Sequence, residues 1–161
     1  MAQKLNSQRL LERRKLAYTS HSYSYDPADP PDAAAVATQL GLPAQQVYKT
    51  LVLSVATHGR PVLVMLAADR QLDLKRTAAA IGQKRLELMA RTETERLTGL
   101  KIGGIGALAL SDKRWPCYLD QAATQLTTMY VNAGQRGLML GLAVPDLIAA
   151  VGAQVISVTA D

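Results

Sequence analysis

Two stretches of the chain are apolar at nearly every position, Val47 to Ala56 and Pro61 to Ala68. Joined by a short glycine-containing turn, they predict a pair of strands buried on both faces. Around them the pattern is mixed. Residues 4 to 17 carry helix formers with Arg9 and Arg13 four apart, which predicts a basic first helix with Leu10, Leu11 and Ala17 turned inward. Tyr18 to Tyr25 reads as a strand ended by Asp26-Pro27, and Pro30-Pro-Asp opens an alanine-rich helix that stops at Gly41. Leu72 to Ile81 is helical up to Gly82, Leu86 to Met89 is a short strand, and Arg91 to Leu97 is a helix with Thr92 as its cap and Gly99 as its stop. Thr127 to Val131 and Leu138 to Ala143 flank a tight turn, Pro145 to Val151 forms a last helix and Gln154 to Val158 a last strand. Strands and helices mix without a βαβ rhythm, so the expected class is α+β: one domain over 1–161 built on a mixed or mostly antiparallel sheet, curled toward a partial barrel and surrounded by helices.

The 161 residues suffice for one core, and runs such as Val62 to Ala68 fall far short of the roughly 20 apolar residues that cross a bilayer, so no membrane partner is expected. The first residues lack the apolar stretch of a secretory signal, and one cysteine, Cys117, cannot form an internal disulfide. The expected compartment is the cytoplasm. Two histidines and one cysteine are too few for a familiar zinc constellation, so neither metal nor cofactor is expected. His58 reads as a solvated hairpin tip.

The net charge of +5 is unevenly distributed. Residues 1–15 carry +4 and residues 70–114 carry +5, whereas 16–69 and 115–161 are each at −2. Such segregation suits a polyanion-facing surface, since clustered Lys and Arg gain from counterion release when phosphates dock. It also suits two solvated helix faces.

Three segments then stand out chemically. Along Val47 to Val55 the side chains alternate, which sets Lys49 on one face with Val47, Leu51, Leu53 and Val55. An ammonium there is costly unless it is paired, hydrated or reaches an edge, so it either snorkels to water or opens into a polar cavity that takes a carboxylate, phosphate or oxyanion. Four of the eleven glycines fall between Gly99 and Gly106, giving either an amide-lined wall or a flexible connection; no Walker or dinucleotide fingerprint is present. The turn from Asn132 to Gly137 contains Arg136, the one basic residue after Arg114, whose fork would suit phosphate or carboxylate at a pocket rim.

In this order and spacing these segments resemble the YbaK/EbsC family of free-standing aminoacyl-tRNA editing domains, and are similar to the editing insertion of bacterial prolyl-tRNA synthetases. The resemblance spans nearly the whole chain: His21-Ser-Tyr23, Val47-Tyr-Lys-Thr-Leu-Val52, Leu72-Asp-Leu-Lys-Arg-Thr-Ala78, Thr98-Gly99 with Gly103-Gly-Ile105, Tyr130-Val131 with Gly134-Gln-Arg-Gly137, and Pro145-Asp-Leu147 with Gly152-Ala153. It implies a pocket that hydrolyses misacylated tRNA, best known for Cys-tRNA(Pro), with tRNA(Pro) as partner and prolyl-tRNA synthetase as a second one. It implies that Lys49, Gly103 and Gly104 orient the ester and stabilise its oxyanion, and that Tyr23, Thr50, Asn132, Gly134 and Arg136 bind the substrate. In cysteine-specific members the substrate's own thiol is thought to attack its ester, which would explain why no protein nucleophile is marked; Cys117 reads as a packing residue. The basic residues Arg9, Arg13, Lys75, Arg76, Lys84 and Arg85 are the expected acceptor-stem surface. One departure stands out: the family commonly reads Gly-Gly-Ile-Ser-Pro where this chain reads Gly103-Gly-Ile-Gly-Ala107. Amino-acid specificity is what that change affects. The rival expectations are a tRNA- or synthetase-binding module without hydrolysis, a deacylase for another aminoacyl group such as Ala-tRNA(Pro), and a hydrolase of small free esters or acyl nucleotides.

Overall fold

The computed structural model describes residues 3–55 and 60–160. Five α-helices are present among them: α1 (Asn6–Arg13), α2 (Ala33–Leu40), α3 (Leu74–Ala80), α4 (Arg91–Thr98) and α5 (Val144–Val151). Eight strands form one sheet: β1 (Thr19–Ser22), β2 (Val47–Val55), β3 (Val62–Ala67), β4 (Leu86–Leu88), β5 (Cys117–Asp120), β6 (Thr128–Asn132), β7 (Leu138–Ala143) and β8 (Gln154–Ile156). The order along the sheet is β1-β7-β6-β2-β3-β5-β8, with β4 beside β2. Pairings β2–β6, β3–β5 and β5–β8 are parallel and the others antiparallel, so the α+β class with a mixed sheet holds. The two outermost strands, β1 and β8, do not pair with each other, and the sheet stays open.

Several boundaries differ from the sequence expectation. The first helix ends at Arg13 rather than Ala17, because Lys15 takes a left-handed φ of 57°. Leu16, not the exposed Ala17, then packs on the core beside Leu10 and Leu11. The first strand shrinks to Thr19–Ser22. Ala90, not Thr92, caps α4, while Gly99 ends it with φ of 73°. α3 begins at Leu74 because the Asp73 carboxylate accepts from the Arg76 amide at 2.9 Å, an N-cap that draws the boundary past Leu72. The proposed hairpin tip at His58 lies outside the described residues.

β2 and β3 divide the interior as their alternation requires. Tyr48, Val52, Leu63 and Met65 join the larger core cluster on one face, together with Leu11 of α1 and Leu147 of α5. Leu53, Val55, Val62, Val64 and Leu66 pack on the other face with Ala78 of α3. All six residues of β3 are buried, and each large aliphatic side chain so buried contributes about 1.5–3 kcal/mol.

One irregularity of this sheet positions the site. β3 pairs with β2 from Tyr48 to Leu53, but on the opposite edge β6 covers only Val47 and Tyr48, and β4 only Leu53 to Val55. No strand covers Lys49 to Val52 on that edge. The Val47 carbonyl accepts from Ala68 and the Val52 carbonyl from Met89, so by alternation the main-chain groups of Thr50 turn toward the uncovered side.

Candidate active site

A cavity of about 290 Å³ opens at this uncovered edge. Because it lies at an edge rather than on a face, neighbouring residues that point to opposite faces, Lys49 and Thr50, both line it. The N-terminal segment of α2 (Pro30 to Ala33) lines it too, with Asp32 fixed as the helix N-cap by an acceptor bond from the Ala35 amide at 2.8 Å. Ile102 and Gly103 of the glycine loop, Ile105, and Asn132 and Met139 of β6 and β7 complete the lining with Tyr23.

Lys49 is half-buried, and its Nζ donates to the Arg70 carbonyl at 2.9 Å, in the turn that follows β3. Reaching past the end of β3 to this turn is how the ammonium escapes the aliphatic face. One of its three N–H donors is spent on Arg70. Thr50 is 8% exposed, and its Oγ1 is the buried side-chain polar atom without a hydrogen-bond partner among the described residues. Such an orphan is rare in a folded interior and calls for an explanation at this position.

Other polar groups of the lining are committed to holding the glycine loop. Tyr23 Oη donates to the Gly103 carbonyl at 3.2 Å, and Asn132 Nδ2 donates to the same carbonyl at 2.9 Å and to Tyr23 Oη at 3.2 Å. Asn132 Oδ1 accepts from the amides of Gly134 at 2.7 Å and Gln135 at 3.1 Å. Asn132 therefore lines the cavity as a brace between loop and turn. Gly103 has a left-handed φ of 92°, and a Cβ there would sit 3.0 Å from Pro30 Cβ, so only glycine fits comfortably under the proline ring. Its amide has no hydrogen-bond partner among the described residues, while Ile102 N–H goes to Glu95 Oε2 at 2.8 Å and Gly104 N–H to the Lys101 carbonyl at 2.7 Å. The Glu95 carboxyl is held below its ordinary value of 4.5, first by the Ile102 amide and then by Lys101, Arg91 and Arg136.

The sequence candidates thus separate into groups. Tyr23, Lys49, Thr50, Gly103 and Asn132 meet around the cavity. Gly104, Gly134 and Arg136 do not: they line a neighbouring cleft behind the glycine loop. The Gly104 amide, buried and already bonded to Lys101, is unavailable to an oxyanion, a correction to its expected role as a donor. Its contribution is the missing side chain, since a Cβ would lie 2.8 Å from the Arg136 amide.

The six basic residues expected to form one surface are also divided. Arg9 and Arg13 ride on α1, which packs through Leu11 against one core cluster, whereas Lys75 and Arg76 ride on α3, which packs through Ala78 against the cluster on the opposite face. Lys84 and Arg85 precede β4 on that second side, and Arg85 pairs with Glu87. The Arg76 guanidinium donates to the Thr159 carbonyl at 2.9 Å and so ties down the C-terminal segment.

Sequence reasoning did not single out Pro30, Pro31, Val36, Ile102 and Met139, which form much of the apolar lining. Their chemistry is that of ordinary core residues, and only the gap beside β2 turns them into a cavity wall. Cys117 is buried in β5, and burial pushes its thiol up to about 12, which fits a packing role.

The model of the aminoacyl-tRNA editing domain matches residues 29–150. A protein of Enterococcus faecalis described as a "Putative Cys-tRNA(Pro)/Cys-tRNA(Cys) deacylase EbsC" is 31% identical over 157 residues, covering 98% of this chain and 94% of that one. The multifunctional Ser/Thr-tRNA deacylase ProXp-y of Escherichia coli K12 is 37% identical over 81 residues, 49% of this chain and 48% of its own. A crystal structure of "a putative trans-editing enzyme for prolyl tRNA synthetase" superposes with a TM-score of 0.80 at 23% identity, over 99% of this chain and 100% of the other, a likeness of fold. With a cavity lined by a lysine, an orphan threonine hydroxyl and a braced glycine loop, the chain belongs to the aminoacyl-tRNA editing domain family, the YbaK/EbsC group of aminoacyl-tRNA deacylases.

Proposed function

We propose that this protein hydrolyses Cys-tRNA(Pro) in trans, in the cytoplasm, at the cavity beside β2. The observation that carries the reading is that the cavity is lined both by Thr50, whose buried Oγ1 has no hydrogen-bond partner among the described residues, and by Lys49, whose Nζ donates among them to the Arg70 carbonyl alone. A cavity of about 290 Å³ with an apolar lining suits a small uncharged side chain, and cysteine supplies a thiol for Thr50 to meet. The relative EbsC carries that substrate in its name and covers nearly the whole chain.

An aminoacyl ester is already activated, so positioning and charge stabilisation carry the step. Lys49 Nζ and the unpartnered Gly103 amide hold the ester carbonyl and take up the charge on its oxygen as the tetrahedral species forms. The attacking atom is the substrate's own sulfur. It adds to the carbonyl carbon, the bond to the ribose oxygen breaks, the proton given up by the thiol ends on that oxygen as the ribose hydroxyl, and water opens the resulting cyclic thioester to free cysteine. Tyr23 and Asn132 act by fixing Gly103. The partners are misacylated tRNA(Pro) and, through it, prolyl-tRNA synthetase.

The test is a deacylation panel of Cys-, Ala-, Ser- and Pro-charged tRNA(Pro) with wild-type protein and Lys49→Ala. Wild type should prefer the cysteinyl ester. Lys49→Ala should lose roughly a hundred- to a thousandfold in rate, the usual cost of an oxyanion donor, with tRNA affinity retained. Near-normal turnover by that variant refutes the central role of Lys49. Faster removal of alanine or serine than of cysteine refutes the substrate.

A further inference from the structure

Behind the glycine loop lies a second cleft of about 350 Å³ that the site above does not use. The two cavities share one partition. Ile102 and Gly103 line the first, and Gly99 to Lys101 with Gly104 line the second. The second holds Tyr25, Lys101 and Arg136, a combination of an exposed aromatic ring and two cations that the first lacks.

Each of these groups is poised rather than buried. Tyr25 is 44% exposed, among the few large hydrophobic side chains left so open, and its ring lies over Gly137, where a Cβ would come within 3.0 Å of Cε1. Arg136 donates its Nε to the Ile102 carbonyl at 2.7 Å, which anchors the guanidinium and leaves both Nη groups without a protein acceptor among the described residues. Lys101 is exposed. Glu95, whose carboxylate feels Lys101 and Arg136, accepts the Ile102 amide at 2.8 Å, and Asp26, next to Tyr25 in the chain, accepts the Ala28 amide at 2.9 Å.

We propose that this cleft seats the unpaired 3′ end of the tRNA acceptor strand, with a terminal base stacked on Tyr25 and the adjoining phosphates held by Lys101 and the Arg136 fork. An aromatic platform flanked by Lys and Arg is what single-stranded nucleic acid selects, because every base has a π face and every linkage a negative charge. The inference rests on the deacylase reading for one feature only, the direction of the chain. The nucleotides then lie on the side of the glycine loop lined by Gly99 to Lys101 and Gly104, and the aminoacyl group on the side lined by Ile102 and Gly103.

Binding is read without hydrolysis, using a fluorescent acceptor-stem RNA microhelix with an intact CCA end and one lacking its last two nucleotides. Wild type should bind the intact form more tightly. Tyr25→Ala should erase that difference, a loss of roughly 5- to 150-fold, while Tyr25→Phe retains it, because stacking needs the ring and not the hydroxyl. Lys101→Glu should weaken the intact form selectively. If Tyr25→Ala leaves the preference for the intact end unchanged, or wild type has no such preference, the cleft is not the seat. The two readings fail separately: end-dependent binding without turnover of any aminoacyl ester overturns the deacylase and spares the cleft, and turnover indifferent to Tyr25 does the reverse.

Discussion

Replacing Gly106 by alanine is a sharp test of how the glycine loop shapes the cavity. A Cβ built there would fall 2.3 Å from the Asn132 carbonyl oxygen and 3.1 Å from its carbon, both main-chain atoms that no rotamer change can move aside. Ordinary contact requires about 3.5 Å, so loop and strand end must separate by roughly 1 Å. Overpacking of this kind typically costs about 1–3 kcal/mol. For a chain of this size each kcal/mol lowers Tm by roughly 2–4 °C, which puts the expected fall at about 2–12 °C in a thermal melt. The displacement falls on Asn132, whose side chain braces Gly103, so deacylation should drop further than the melting shift alone would produce at 25 °C. Gly106→Ser should behave at least as badly, since it places a Cβ at the same point and adds a hydroxyl. A Gly106→Ala protein with unchanged Tm and unchanged kcat/KM would show that loop and strand are not in the contact described.

Further outcomes follow from individual groups. The Cys117 thiol, raised to about 12 by burial, should resist iodoacetamide at pH 8 in the native protein and react only after denaturation; rapid labelling with loss of activity would contradict its packing role. Glu95, whose folded value lies below 4.5, stabilises the loop above that pH and loses the effect as pH falls through the folded value, so hydrogen exchange at the Ile102 amide, corrected for intrinsic rate, should accelerate on acidification and become pH-independent in Glu95→Ala. Because α1 and α3 flank the sheet from opposite faces, charge reversal at Arg9 and Arg13 should change the salt dependence of tRNA affinity independently of reversal at Lys75; equal effects that fail to add would point to one shared surface.

The periodicity of the chain exposed the strands around Lys49 because two almost wholly apolar runs tolerate few other structures, and β2 and β3 lie where they do. The short strand β5 escaped notice. Cys117-Tyr-Leu-Asp120 is four residues long, preceded by the turn Ser111-Asp-Lys-Arg-Trp-Pro116 and followed by a 3₁₀ helix, and takes its conformation from parallel pairing with β3 and β8 rather than from any local pattern. The candidate residues were legible as chemistry but not as geometry. Lys49 was conspicuous as a cation among aliphatics, yet nothing local shows that Arg70, twenty-one residues on, receives its amine. Arg136 was conspicuous as the last cation of the chain, and only the tertiary structure assigns it to the far side of the glycine loop from Lys49.

The uncovered edge of β2 also separates what is fixed from what can vary. A strand clamped by β3 along its length, and by β6 and β4 at its two ends, offers a polar main-chain group that no exchange of side chain can delete. Exchange of side chains in the surrounding loops can therefore reshape the cavity wall and leave this stretch of backbone where it is.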